Sequence, residues 1–204
     1  LLNYRALLRH PSYHDDWTKS SANEFGRLAN GVGDRVKGTN TIRFIHKRDI
    51  PKDRLKDVTY GQFVCTIRPE KKEPNRTRLV VGGDRINYPG EVATPTADML
   101  AAKILFNSVI STTNACFMTM DISNFYLMTP LPRPEYLRLK LSDIPTEIIR
   151  EYRLDLLAEP DGTIYVLVRL GMYGLPQAGL LANELLEKRL NAHGYHQSKL
   201  VPGL

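Results

Sequence analysis

The sequence predicts an α+β domain, and three observations carry that expectation. Extended stretches are joined by turn-forming segments: Tyr60–Arg68 runs through Pro69-Glu-Lys-Lys-Glu-Pro-Asn75 into residues 77–81. Likewise Leu154–Leu157 and Thr163–Val168 flank Glu159-Pro-Asp-Gly162, a hairpin signal. Segments with helical spacing lie apart from these strands and do not alternate with them as βαβ winding requires. With 204 residues, of which 42% are hydrophobic, the chain is long enough for one domain or two small subdomains with cores of their own.

Residues 1–16 read as mixed and irregular. Trp17–Asn30 sets Trp17, Ser21, Phe25, Leu28 and Ala29 on one helical face, and Gly31 and Gly33 stop it. Thr41–Lys47 alternates as a strand, and a polar loop with Pro51 separates it from the hairpin of 60–68 and 77–81. Thr94 or Thr96 caps a helix from Ala97 to Ser111 that turns Met99, Ala102, Leu105, Phe106 and Val109 inward. The apolar run Cys116–Met120 is a buried strand that delivers Asp121 at its tip. Tyr136–Leu141 is a further strand, and Pro145–Tyr152 a short helix. Leu181, Leu185, Leu186 and Leu190 give the last helix its period, and Gly194 ends it at the C-cap position.

A net charge of +6 favours an anionic partner, although each local basic group (Lys47-Arg48, Lys71-Lys72, Arg76 and Arg78) reads by itself as a solvated patch. Cys65 and Cys116 are far apart, and both read as buried free thiols of a reducing compartment. No apolar run reaches the ~18 residues of a membrane span, and no signal peptide is visible. The ends, Leu1-Leu2 and Val201-Pro-Gly-Leu204, read as those of a fragment.

Two blocks carry the chemistry. The first is Asp121-Ile-Ser-Asn-Phe-Tyr126, and the second is Gly171-Met-Tyr-Gly-Leu-Pro-Gln-Ala-Gly179. A carboxylate at a strand tip, backed by the Ile122 carbonyl, offers the oxygen ligands that hard divalent cations take. An isolated Asp after a strand is usually a cap or a turn acid, but here Ser123 can cap the next turn equally well. Phe125 and Tyr126 each read as ordinary core aromatics or as functional groups, and the spacing of five from Asp121 favours function for Tyr126 and core for Phe125. The Gly/Pro turn before Gln177 fixes a tight backbone that can approach a base pair closely. His10 and His14 have metal-like spacing but no supporting acid or cysteine cluster, and Gly31/Gly33 and Gly82-Gly83 lack the flanks of a phosphate loop.

These blocks resemble motifs A and B of reverse transcriptases of copia-type retrotransposons. Asp121-Ile-Ser-Asn-Phe-Tyr-Leu127 is similar to Asp-Val-x-x-Ala-Phe-Leu, and Leu170-Gly-Met-Tyr-Gly-Leu-Pro-Gln-Ala178 to Ser-Leu-Tyr-Gly-Leu-Lys-Gln-Ala. Thr77-Arg-Leu-Val-Val-Gly-Gly83 resembles Lys-Ala-Arg-Leu-Val-Ala-x-Gly, and Trp17–Glu24 the opening Trp-x-x-Ala-x-x-x-Glu helix. Tyr126 stands where Phe is usual and Pro176 where Lys is usual; no Trp closely follows Ala178, and no Tyr-x-Asp-Asp occurs.

The resemblance implies a right-hand polymerase: fingers at 1–92, palm at 93–128, fingers again at 129–178, and a palm helix at 179–204. It implies an RNA-directed DNA polymerase in which Asp121 is catalytic and, with Ile122, holds two Mg²⁺ ions. Arg78 then meets the nucleotide triphosphate, Lys71 or Lys72 reaches its γ-phosphate, Gln177 lies near the ribose, and Tyr126 excludes a 2′-hydroxyl. The implied partners are an RNA or DNA template-primer, deoxynucleoside triphosphates and the rest of a Pol polyprotein (remaining palm, thumb and RNase H), with no membrane. The implied location is intracellular, in a cytoplasmic virus-like particle and also the nucleus. With one of three metal carboxylates present, the piece is expected to lack turnover. Two other readings are a retroelement relic kept as a nucleic-acid-binding or interaction module, and an unrelated basic RNA-binding domain.

Overall fold

The computed structural model describes residues 3–201; the expectations about the two chain ends lie outside that range. The architecture is α+β. Helices α1 (Tyr4–Arg9) and α2 (His14–Leu28) precede strands β1 (Ile42–Ile45), β2 (Thr59–Ile67) and β3 (Asn75–Val81). Helix α3 (Met99–Ser111), strand β4 (Pro130–Lys140), helix α4 (Thr146–Tyr152), strand β5 (Thr163–Leu170) and helix α5 (Ala178–Asn191) follow. The five strands form one sheet in the order β1-β5-β4-β2-β3. Every pairing is antiparallel except β2 with β4, which is parallel and only two residue pairs long, Thr59 with Leu137 and Tyr60 with Arg138.

Side chains alternate across each strand. Ile42, Phe44, Leu79, Leu137, Ile164, Val166 and Val168 therefore join one core with Phe25 and Leu28 of α2 and Ile148 of α4. Each fully buried aliphatic side chain of this kind contributes about 1.5–3 kcal/mol of transfer free energy. A smaller cluster of Ile45, Ile50 and Tyr136 lies on the opposite face. Among the described residues, no helix is long and apolar enough to cross a membrane.

The expected face of α2 is buried as read: Trp17, Ser21, Phe25, Leu28 and Ala29 all lie in the interior. The hairpin β2–β3 forms in the register Phe63↔Leu79 and Cys65↔Thr77. Several expectations are corrected. The start of the chain holds α1, because Tyr4 stacks on Phe63 at 4.1 Å and donates its hydroxyl to the Asp143 carbonyl at 2.8 Å. Residues 154–156 form a 3₁₀ turn rather than a strand, and β5 pairs instead with β4 and β1. Strand β4 begins six residues before Tyr136, but its register shifts between Pro130 and Glu135. Pro130, Pro132 and Pro134 lie in that stretch and have no N–H to give a ladder.

Asp98, not a threonine, caps α3, accepting a hydrogen bond from the Ala101 N–H at 2.7 Å. The inward face expected of α3 is not buried: Met99, Leu105 and Phe106 are exposed, and Ala102 and Val109 only half-buried. Nor does Cys116–Met120 form a strand; Phe117, Met118 and Met120 are exposed, as is the Cys116 thiol, whereas Cys65 is buried as expected. The physical reason is common to both corrections. An apolar helix face or an isolated strand is stable only against a partner surface or ladder; here Phe106 meets only Phe117 edge-on at 5.2 Å, and no strand pairs with 116–120 among the described residues.

Candidate functional site

The β3 edge of the sheet organises the site. With Gly82 N–H bonded to Tyr60 O across the hairpin, the N–H groups of Thr77, Leu79 and Val81 point outward from the sheet. Each is satisfied. Thr77 N–H donates to Ser20 Oγ at 2.8 Å, Leu79 N–H to Glu24 Oε1 at 3.3 Å, and Val81 N–H to Tyr173 O at 2.8 Å. Helix α2 and the 171–177 turn thus take the place of a sixth strand, which keeps the edge from templating other chains.

The bond to Tyr173 requires close backbone approach. Gly174 has φ +91°, and a Cβ placed there would meet Val81 O at 2.0 Å, so only glycine fits. This turn carries Tyr173 to Arg78 on β3. The Arg78 guanidinium lies over the Tyr173 ring, 5.4 Å from its centroid. The Tyr126 ring meets Tyr173 edge-on, at 5.5 Å and 87°. Phe125 adjoins Tyr126 at 5.6 Å. Three segments far apart in sequence, at 78, 126 and 173, therefore form one aromatic-and-guanidinium assembly.

Arginines dominate the same face of the hairpin. Arg76 and Arg78 stand opposite Thr66 and Val64, with Arg68 just beyond the strand end. Arg76 is anchored to the buried Glu24 at 3.1 Å, and burial lowers its basicity. The Nε atoms of Arg68 and Arg78 are buried and have no hydrogen-bond partner among the described residues. The two half-buried guanidiniums of Arg68 and Arg78 lie on the same face of the hairpin as Arg76, which makes this face locally basic.

The remaining expected residues fall elsewhere. Lys71 and Lys72 are exposed in the turn between β2 and β3. Tyr126 is half-buried and packs against the main core, a role expected of Phe125, which does not join that core. Gln177 is fully buried, with Nε2 donating to Glu135 Oε1 at 3.3 Å and Oε1 unpartnered. Glu135 is itself buried and receives Arg54 at 2.8 Å and Arg133 at 2.9 Å. Gln177 therefore faces an internal ionic network and cannot hydrogen-bond a ribose in this conformation.

Asp121 and Ile122 are exposed in a segment without regular secondary structure. Asp121 and the Ile122 carbonyl are of the oxygen type that Mg²⁺ favours, but no three His, Cys, Asp or Glu side chains converge among the described residues. One carboxylate does not cage two ions.

Tyr173 and Arg68 escaped the sequence reading. Tyr173 sits inside a block whose Gly, Pro and Gln are its conspicuous residues, and Arg68 lies at the end of the expected strand 60–68. The cross-strand spacing of Arg68, Arg76 and Arg78 is the signal that marks the patch. Compared with protein-family models, with curated proteins and with solved structures, the chain matches none.

Proposed function

We propose that the chain is the fingers and first part of the palm of an RNA-directed DNA polymerase of the copia type, and that the Arg68/Arg78 patch receives the triphosphate of a deoxynucleotide. The observation that carries the reading is the Arg78–Tyr173–Tyr126 assembly. Its members come from the three segments that the resemblance assigns to triphosphate contact, sugar discrimination and base-pair packing. Arg78 and Arg68 supply two half-buried guanidiniums on the same face of the hairpin, able to meet phosphate oxygens. Tyr126 offers a flat ring braced by Tyr173, suited to the face of a sugar. Lys71 and Lys72 sit on the exposed turn from which a flexible ammonium can reach a terminal phosphate. Asp121 is the residue for metal-assisted nucleotidyl transfer, with Mg²⁺ supplying Lewis-acid stabilisation when bound. Gln177 acts in this reading by fixing the 171–177 turn through Glu135 rather than by touching nucleotide.

The exposed apolar surface of α3 and residues 117–122 agrees with the same reading, since Met99, Leu100, Ile104, Ile110 and Met118 are each at least 60% exposed. A helix apolar on most sides belongs in an interior, and the remainder of a palm is such a partner.

The test is binding of dTTP and of a primed template to the 204-residue protein. Arg78→Ala should weaken dTTP at least ~10-fold, the value of a charge-assisted hydrogen bond, and leave primed-template affinity within ~3-fold, since one arginine is a minor part of a phosphate-tracking surface. Absence of dTTP binding at millimolar concentration, or equal loss of both ligands, would overturn the proposal.

A further inference from the structure

Arg5, Arg27, Arg35, Arg54, Arg76 and Arg133 each hold a carboxylate. Arg43 and Arg169 are exposed and hold none among the described residues. In the β1–β5 ladder Ile42 stands opposite Val168 and Arg43 opposite Leu167, which places Arg169 diagonal to Arg43. Ile42, Phe44 and Val168 are buried on the core face, so alternation turns both arginines to the other face. Diagonal neighbours of this kind stand about 7–8 Å apart, close enough for two long side chains to converge on one group. Arg169 is already oriented, since its Nη2 donates to the Asn40 carbonyl at 3.0 Å. Asn40 has φ +55°, and this left-handed turn brings its carbonyl beside the end of β5.

A cleft of ≈ 470 Å³ includes both arginines in its lining, together with Asn30, Asn40, Tyr152 and Leu157, and no acid. Clefts of this size hold small molecules. Asp49 lines an adjoining cleft with Arg43 but forms no ion pair with it; its carboxylate accepts the His46 N–H at 3.1 Å. Two neighbouring cations without a counter-charge repel each other, and an anion between them turns that repulsion into attraction. The Tyr152 hydroxyl is engaged, accepting the Asn30 N–H at 3.0 Å and donating to the Gly31 carbonyl. What Tyr152 offers the cleft is therefore its half-buried ring, which Phe44 braces at 5.3 Å. Leu157, also half-buried, extends that apolar wall.

We propose that this cleft binds a nucleotide, with its phosphate between Arg43 and Arg169 and its base against Tyr152 and Leu157. A carboxylate has two oxygens and is satisfied by one guanidinium fork. A terminal phosphate presents three and can take forks from two strands at once. Bases stack on aromatic rings whatever their identity, so the wall sets no strong base preference. A free nucleotide and the 5′-terminal nucleotide of a strand carry the same chemistry. The Arg68/Arg78 patch is a different place: β1 and β3 are the two edges of the sheet, four strand spacings or about 19 Å apart. The two can therefore be occupied independently, and this cleft keeps its ligand even if the patch takes no triphosphate.

The probe is thymidine 5′-monophosphate, titrated into the whole protein and followed by backbone amide chemical shifts. Saturable shifts should appear at Asn40, Arg43, Tyr152 and Arg169, and thymidine without the phosphate should not produce them. Arg43→Gln with Arg169→Gln, both exposed positions, should weaken binding at least ~10-fold through loss of the charge-assisted hydrogen bonds. Arg78→Ala, at the other edge, should leave it within ~2-fold. A 5′-phosphorylated hexathymidylate separates the two sources: binding tighter than that of the monophosphate assigns the cleft to a strand end, weaker binding to a free nucleotide, and either supports the site when the double variant loses both. Equal shifts from thymidine, equally tight binding of glutarate, a double variant within ~2-fold of wild type, or no saturation at millimolar concentration would each overturn the proposal.

Discussion

Replacing Tyr173 by Ala removes the surface on which Arg78 rests while leaving the guanidinium in place. The ring lies 5.4 Å from the Arg78 guanidinium carbon and meets Tyr126 edge-on at 5.5 Å. A half-buried cation–π contact is worth about 0.5–2 kcal/mol, and an aromatic pair about 0.5–1.5 kcal/mol. Stability should therefore fall by about 1–3 kcal/mol, read from the urea midpoint at constant slope. The consequence for ligand binding is separate. Without the ring, the Arg78 fork is no longer oriented toward the patch it shares with Arg68, so dTTP affinity should fall ~2- to 30-fold, the equivalent of the cation–π term. Tyr173→Phe keeps the ring face and should leave dTTP affinity within ~2-fold, because only the hydroxyl is lost. Both measurements belong on the same preparations, with labelled dTTP at low ionic strength and the folded fraction taken from the denaturation curve. Wild-type dTTP affinity in a destabilised Tyr173→Ala protein would refute the coupling between ring and guanidinium.

Glu24→Ala should cost about 3–5 kcal/mol, since it strands the half-buried Arg76 and leaves the Leu79 N–H unpaired; a loss below ~1 kcal/mol by urea titration would contradict the edge-capping role. Arg35 holds the Glu147 carboxyl below the ordinary glutamate range through paired hydrogen bonds. A carboxylate with a depressed folded pKa stabilises the fold above its unfolded value, ~4.3, and loses that contribution as pH falls through the folded one. Glu147→Gln should therefore melt below wild type at neutral pH, by no more than ~1 kcal/mol for so exposed a pair, and the gap should close under acid; a constant gap down to pH ~3 would exclude the ion pair as its cause. Tyr126→Ala should raise UTP binding relative to dTTP while Tyr126→Phe stays silent, and an unchanged ratio with a lowered melting temperature would reduce Tyr126 to a packing residue. Primed-template affinity should fall steeply with salt through counterion release, and a flat dependence would argue against a phosphate-tracking surface.

Local signals in the sequence reached as far as their physics allows. The helical face from Trp17 to Ala29, the β2–β3 hairpin and the last helix, expected over 180–192 and observed as Ala178–Asn191 with Ala192 rather than Gly194 at its C-cap, follow from periodicity and turn chemistry, which depend on near neighbours. Arg78 and Tyr126 are singled out by the resemblance of their blocks rather than by these local signals. Burial was not, because it belongs to pairs of elements. The period of α3 and the apolar run 116–120 look like core segments, yet both are mostly exposed and meet little beyond each other. Gln177 looked like a ligand-facing amide, and a glutamate 42 residues earlier draws it inside. Glu24 carried no signal of its own role, since capping a strand edge depends on which backbone N–H groups the sheet leaves unpaired. That count, complete along β3, is a property of strand order, and strand order is set by the joint burial of distant segments.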